Sequence, residues 1–358
     1  NAASCLSAQK NVRISWKVVV AKNVNKANTA DLLTLKMPLN LSANGTTISA
    51  MTSNTDMLPN KQLNSRKVRL ISPYPITHRF KVQDEFVGKS LLEMMVTRFP
   101  FRAETEWEKR IQNGRVGLNE ESAAPDVLLK KSDSVFHHNP NVIEPSVPDE
   151  IEILQETDDW IAVYKPAPLP MHPGGRYFKN TLTAMLEDMG YPDLKIVHRL
   201  DAVTSGIVIF AKTKAFAQRA MTEFAEGRVQ KTYFAEVSGV PEEDSVIINT
   251  PIKRKTGFVF ESNPDLTNAK PAETTFTVVE RKEDSASIKC EPKTGRTHQI
   301  RLHLEHWGYP IIDDPIYGPH GDKTSKKAQK TAISLVNAGL VIEELGVGVT
   351  ITSTYFEF

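Results

Sequence analysis

The sequence predicts an α+β protein: a larger unit on a mainly antiparallel, mixed sheet with a central cleft, preceded by a small α/β module. Two observations carry this. From Ile151 onward, short alternating segments recur, among them Ile151–Leu154, Trp160–Tyr164, Ile207–Ala211, Thr232–Val237, Thr274–Val279 and Ser287–Cys290, each reading as a strand. Between them lie only two convincing helices, Asn180–Met189 and Lys214–Glu226, with Leu182, Met185 and Leu186 on one face of the first and Phe216, Ala220, Met221 and Phe224 on one face of the second. Many strands with a few intervening helices, without regular strand–helix–strand alternation, argue for an α+β domain built on a mainly antiparallel sheet. Gly190 and Gly227 stand where C-terminal caps belong.

Taken in order, residues 1–64 are rich in Asn, Ser, Thr and Lys, hold only Asp31 and Asp56 as acids, and show no sustained period. The segment reads as disordered, either a flexible tail or a basic, hydroxyl-rich targeting segment for mitochondrion or chloroplast. Without such a signal, the cytoplasm or nucleus is expected. A small module follows over 80–138. Its first helix opens at Gly88–Val96, a second covers Glu104–Asn113 and stops at Gly114, and Arg115–Asn119 alternates as a short strand. Residues 139–148 carry three prolines and no period, which reads as a linker into a main domain over 148–358.

The totals set limits. With 44 Lys and Arg against 43 Asp and Glu, the net charge is +1, so any affinity for nucleic acid must come from local clusters of cations. No apolar run approaches the roughly 18 residues that cross a bilayer, and no membrane partner is expected. Cys5 and Cys290 lie far apart and match no metal-ligand spacing.

The most informative stretch is Val197-His198-Arg199-Leu200-Asp201-Ala202-Val203-Thr204-Ser205-Gly206, running into the apolar Ile207–Ala211 and Lys212. Three ionisable side chains crowd into four positions of a polar loop, and Thr204-Ser205-Gly206 turns the chain into a strand. Loops held by a rigid sheet commonly mount catalytic groups. A carboxylate beside an arginine suits a nucleophile or base better than a proton donor. On local chemistry alone, an Asp that caps a turn next to a surface Arg explains the same residues.

The run H-R-L-D-x-x-T-S-G ahead of an apolar strand and A-K resembles the signature of RluA-type pseudouridine synthases. A second block is also similar to that family: Lys293-Thr294-Gly295-Arg296-Thr297-His298-Gln299-Ile300-Arg301-Leu302-His303-Leu304, continuing to Gly308–Ile311 and Asp314-Pro315-Ile316-Tyr317-Gly318. So is a third, Lys231-Thr232-Tyr233, and the run from Pro166 to Thr181 looks like eukaryotic members. The resemblance implies a uridine-isomerising enzyme acting on structured RNA, transfer or ribosomal, without cofactor or metal, as a monomer with no obligatory protein partner. It makes Asp201 the catalytic aspartate, Tyr233 the platform under the uracil, and Arg301 the cation that orients Asp201. Arg199 would hold the flipped nucleotide, with His198 and Arg296 also on the substrate side. The module around R-I-Q-N-G-R-V-G-L-N resembles a small ribosomal-protein-type RNA-binding domain, which implies phosphate contacts for Lys109, Arg110 and Arg115. Glu120-Glu121 stand where that domain usually has a glycine.

The residues allow other readings. Tyr233 also suits a half-buried strand aromatic, and Arg301 a surface cation. His198, His298 and His303 invite a metal, but no carboxylate completes the set at helical spacing. Ser205 lacks the strand–turn–helix setting of a hydrolase nucleophile. A hydrolase of glycosidic bonds would need a second acid, for which Asp313 and Asp314 are nominal candidates. After Gly318 the resemblance fades, and the apolar wall expected for the uracil pocket has no assigned residue. A catalytically silent RNA-binding protein on the same fold is the alternative this leaves.

Overall fold

A computed structural model describes residues 67–324 and 331–351. The 1–64 segment expected to be disordered or targeting, and Cys5 with it, lies outside the described residues. The described chain falls into two compact units. One comprises residues 67–69, 147–174 and the chain from Asn180 on; the other comprises Leu70–Ser146 and Gly175–Lys179.

In the smaller unit a four-stranded sheet runs in the order Tyr74–Lys81, Ser134–Val142, Val116–Leu118, Glu121–Ser122. Helices Leu91–Arg98 and Glu104–Gln112 close its core around Met94, Met95, Trp107, Ile111 and Val116. Ser90 caps the first helix by accepting the Glu93 N–H at 3.1 Å. The linker reading of 139–148 is corrected in its first half, because Ser134–Val142 stays paired past Pro140. Its register shifts between Tyr74 and Ile76, and such an irregularity tolerates a residue without an N–H.

The larger unit holds a ten-stranded sheet. Its strands are β1 (Glu152–Glu156), β2 (Trp160–Lys165), β3 (Ser205–Ala211), β4 (Gln230–Ser238), β5 (Ser245–Ile248), β6 (Thr274–Arg281), β7 (Ser285–Pro292), β8 (Leu335–Ile342) and β9 (Val347–Thr350), with Lys195–Ile196 as a short addition to β3. The main path reads β5-β6-β7-β4-β8-β3-β2-β1, and every neighbouring pair is antiparallel except β3 with β8. Helices are α1 (Leu182–Asp188), α2 (Lys214–Ala225) and α3 (Gln299–Trp307).

Period-2 alternation covers the sheet on both faces. Val336, Ala338 and Leu340 of β8 join Phe216, Ala217 and Ala220 of α2 in one cluster, whereas Leu335 joins Ile300 and Leu304 of α3 in another. The tail beyond Gly318 therefore supplies the central strand. Its run L-V-N-A-G-L-V-I is buried throughout except for Val341, as suits a strand covered on both faces. Two close fits lock it to β3. Asn337 donates its amide to Ile207 O at 2.9 Å, and Gly206, at φ +117°, lets the backbones approach so closely that a Cβ would sit 2.3 Å from Asn337 O.

Candidate active site

Asp201 sits in the loop ahead of β3, at the wall of a cavity in the larger unit that Tyr233, Lys231, Arg199, Arg296, His298, Arg301 and Leu335 also line. Three features hold that loop. Thr204 N–H closes a turn onto Asp201 O at 3.1 Å, Leu169 N–H binds Ala202 O at 2.8 Å, and Ile333 N–H binds Val203 O at 3.0 Å. Lys165, the last residue of β2, is fully buried and donates to Pro166 O, Leu169 O and Ala202 O at 3.2, 2.9 and 3.2 Å. Burial lowers its pKa to about 7, against the pull of the Asp201 charge. One ammonium thus ties the proline-rich loop after β2 to the aspartate loop. Sequence reasoning passed over Lys165; its one local signal is a lysine that ends an apolar strand directly before a proline.

Arg301 projects from α3 and is 3% exposed. Its Nε and Nη2 engage Asp314 at 2.5 and 2.8 Å, and its Nη1 reaches Asp201 Oδ2 at 3.4 Å. One guanidinium therefore carries two carboxylates of different kind. Asp314 is buried, and its Oδ1 also accepts the N–H groups of Ile316 and Tyr317. Burial pushes its carboxyl up, but the Arg301 fork and those backbone donors together hold it below the ordinary carboxylate range. Burial likewise lowers Arg301, and the Asp314 pairing outweighs it, so the guanidinium titrates above its ordinary value. Asp314 is thus a structural partner of Arg301, which removes the assignment as the second acid of a glycosidic hydrolase.

Tyr233 comes from β4, where it pairs with Cys290 on one side and Asn337 on the other. Burial, then the Asp201 charge, raises its phenol well above the ordinary value, so it stays protonated. Lys231, two residues earlier on the same face, donates to Thr294 O at 3.1 Å, and burial followed by the nearby Arg296 lowers it to about 8. Sequence reasoning did not assign Lys231 a role, although the period of two that aims Tyr233 into the cavity aims Lys231 there too. Arg199 and Arg296 are exposed on the cavity wall, and Arg296 Nε donates to Pro271 O at 2.9 Å.

The structure places two expected substrate contacts among protein partners of their own. His198 does not line the cavity. Its Nε2 accepts the Ile209 N–H at 2.9 Å, and its ring stacks on Phe224 with centroids 4.8 Å apart. Burial lowers it to about 3, so it is a neutral acceptor that ends the loop on β3. In the smaller unit, Arg110 lies against Glu106 at 3.3 Å and His137 at 3.3 Å, whereas Lys109 and Arg115 are exposed. Arg110 is thus committed inside its own unit. His303 is spent between Thr274 Oγ1 and Thr250 O, at 2.9 and 3.0 Å, so the three histidines that invited a metal serve three separate hydrogen-bond sites.

The sequence left the apolar wall without a residue; Leu335, the first residue of β8, gives this cavity an apolar lining residue. The cavity thus combines a carboxylate, an aromatic ring, an apolar residue and several cations at one opening.

Comparison with known proteins places this arrangement. The family model described as RNA pseudouridylate synthase matches residues 159–306, a span that carries β2, the Asp201 loop, β4 and most of α3. RNA pseudouridine synthase 7 of Arabidopsis thaliana is 34% identical over 260 residues, covering 70% of this chain and 65% of that one. The mitochondrial tRNA pseudouridine(32) synthase of Saccharomyces cerevisiae is 33% identical over 254 residues, covering 70% of this chain and 55% of that one. The chain therefore spans somewhat less than two thirds of the length of these two relatives. RNA pseudouridine synthase 5 of Oryza sativa subsp. japonica is 31% identical over 290 residues, covering 71% of this chain and 73% of that one. With the signature loop, the K-T-Y strand and the arginine helix meeting at one cavity, the chain belongs to the RluA-type RNA pseudouridylate synthase family.

Proposed function

We propose that this chain converts selected uridines of transfer or ribosomal RNA to pseudouridine, with Asp201 acting on the extruded nucleotide. The observation that carries the reading is the Asp201 carboxylate, 3.4 Å from a buried arginine, in the same cavity as Tyr233. The reaction breaks the bond from ribose C1′ to uracil N1, turns the base, and joins C1′ to C5. The C5 proton leaves and N1 takes one up, so the product is an isomer and no redox cofactor is consumed. The step needs an anion or nucleophile at the sugar, a platform that retains the detached base, and exclusion of water. Asp201 serves as nucleophile or base, Tyr233 as platform, and Leu335 as part of the apolar wall.

A base inside a helix cannot reach such a site, so the nucleotide must be extruded and recognised by stacking. Arg199, Lys231 and Arg296 line the cavity and suit the phosphates on either side of it. In the smaller unit, over the expected RNA-binding module at 80–138, the exposed Lys109 and Arg115 suit further phosphate contacts.

The test is pseudouridine mapping on total RNA from cells lacking the gene, rescued with the wild-type chain or with Asp201→Ala. Sites lost without the gene, restored by wild type and not by the Ala variant, support the isomerase and name its substrate. Equal rescue by both, or no lost sites, supports a silent RNA-binding protein instead.

A further inference from the structure

His298 occupies a place in the cavity that the reaction as described does not use. It precedes α3 with φ +58°, a left-handed conformation uncommon for a residue with a side chain, and its side chain is 12% exposed. The ring is caught between two groups. Nδ1 lies 2.9 Å from the Tyr317 hydroxyl, and Nε2 faces Asp201 Oδ2 at 3.7 Å. Phe260 and Tyr317 meet the ring edge-on, with centroids 5.3 and 5.5 Å away.

These contacts fix where the imidazole proton resides. Tyr317 is 2% exposed, and its oxygen already accepts the Phe260 N–H at 2.9 Å. Its own proton has one acceptor among the described residues, His298 Nδ1. If Nδ1 carried a proton, the tyrosine hydroxyl would be left buried with nothing to donate to, a cost that folded proteins rarely accept. The reverse arrangement satisfies every group. Tyr317 O–H donates to Nδ1, and the ring proton sits on Nε2, aimed at a carboxylate rather than presenting a lone pair to it. Burial keeps the ring neutral, lowering it to about 4, while burial raises Tyr317 to about 12, so both partners hold these protonation states near neutral pH.

Arg301 Nη1 and His298 Nε2 both approach the same oxygen of Asp201, Oδ2. The other oxygen, Oδ1, has no hydrogen-bond donor among the described residues. We propose that His298 is a positioning residue: oriented by Tyr317, it works with Arg301 to fix Asp201 by Oδ2, so that Oδ1 is the oxygen presented to the nucleotide. At 3.7 Å the His298 contact is longer than a hydrogen bond, and it shortens when RNA fills the cavity, as contacts in empty active sites commonly do. The inference rests on Asp201 being the reacting group.

The first measurement is the tautomer of His298, read by nitrogen-15 NMR of the full chain labelled at histidine, at pH 7, with the signal assigned by its loss in His298→Gln. The expected result is a neutral ring protonated on Nε2 in the wild type and a mixture of tautomers in Tyr317→Phe. A ring protonated on Nδ1, a cationic ring, or a Tyr317→Phe spectrum unchanged from wild type overturns the relay, whatever the activity. The second measurement is single-turnover conversion of total RNA from cells lacking the gene. His298→Ala is expected to slow conversion about 100-fold, the scale of an ångström-sized misplacement, with RNA affinity unchanged. His298→Gln, whose amide can still donate to Asp201, is expected to regain most of that loss. Equal loss in the Ala and Gln variants overturns the positioning role. Asp201→Asn run beside them separates the two ideas: if it stays active, the functional reading fails, while the tautomer still judges the relay.

Discussion

The floor and the mouth of the Asp201 cavity draw on the same residue types and use them in opposite ways. At the floor, Arg301 and Asp314 are each 3% exposed and face each other through two hydrogen bonds, with backbone N–H groups filling the remaining positions on Asp314. At the mouth, the exposed Arg199 and Arg296 and the part-buried Lys231 have no carboxylate partner within ion-pair distance among the described residues; Lys231 donates to Thr294 O and Arg296 to Pro271 O, and burial leaves Lys231 the most easily deprotonated of the three. A buried charge needs an opposite charge or, as at Lys165, a full set of hydrogen bonds, because one left without either costs several kcal/mol of desolvation. Exposed charges need no partner, and leaving them unpaired preserves a field for a polyanion. Asp201 stands between the regimes, 22% exposed and held by one donor at 3.4 Å. On the proposed reading, that intermediate state lets it be aimed and still reach a nucleotide.

The largest effect should follow at that junction. Asp201→Asn keeps the shape and removes the charge, and is expected to slow conversion on the order of ten-thousand-fold, as loss of a reacting group commonly does. Its thermal midpoint should barely move, because a partly exposed side chain with one long contact contributes within about 1 kcal/mol. Single-turnover kinetics and a melting curve on the same preparation check both. A large loss of stability would move Asp201 to the floor and break the comparison.

Asp314→Asn should show the opposite pattern. It strands a buried guanidinium, and breaking such a pair costs about 3–5 kcal/mol. Denaturant unfolding should reveal that loss directly. Conversion should fall as well, since the freed Arg301 can swing fully onto Asp201. An Asn variant as stable as wild type would mean that the floor is not held by this pair.

How much of this was legible follows the same division. Asp201, Tyr233 and Arg301 lie in contiguous blocks whose residue order resembles the family's, and the structure brings the three to one cavity. Partners that act through tertiary hydrogen bonds left no such mark. Lys165 stands 36 residues before Asp201 and reaches its loop only through backbone carbonyls, and Tyr317 matters only because Phe260 and His298 meet its hydroxyl. His198 misled for the converse reason. Three positions from Asp201, it shares the loop but turns to Ile209 N–H, and proximity in sequence carries no side-chain direction. The β8 run was hidden by Asn337 and Gly339, which interrupt its apolar pattern. Asn337 is tolerable there because Ile207 O accepts its amide, a contact that no local rule supplies.

At the mouth the expected effects are smaller and fall on binding. Arg296→Ala should weaken RNA affinity by about 1 kcal/mol and flatten the dependence of log affinity on log salt by roughly 0.7–0.9, one phosphate contact's share. The maximal rate should stay near wild type. Filter binding across a salt series measures the slope; an unchanged slope with a reduced maximal rate would place Arg296 with the floor.

The weakest and most selective probe is pH. Lys231 titrates near 8 in the folded chain, below its ordinary value of 10.5. Between those values the unfolded chain binds more protons, so this residue's contribution to stability rises with pH over about 8 to 10.5. RNA affinity should move the other way, weakening as pH passes 8 and the ammonium at the mouth loses its charge. The histidines of this unit act at the acid end. His198 and His298, lowered to about 3 and about 4 from 6.5, make stability fall as pH drops below 6.5, because unfolding releases them to take up protons. Melting and RNA binding followed together from pH 5 to 10 should therefore separate: stability climbs from the acid side and again above about 7, where Lys165 and then Lys231 bind more protons unfolded than folded, while affinity falls above 8. In Lys231→Met both changes above 8 should shrink. If affinity still fell there undiminished, the titrating charge would belong to another group, and the mouth would have to be redrawn around it.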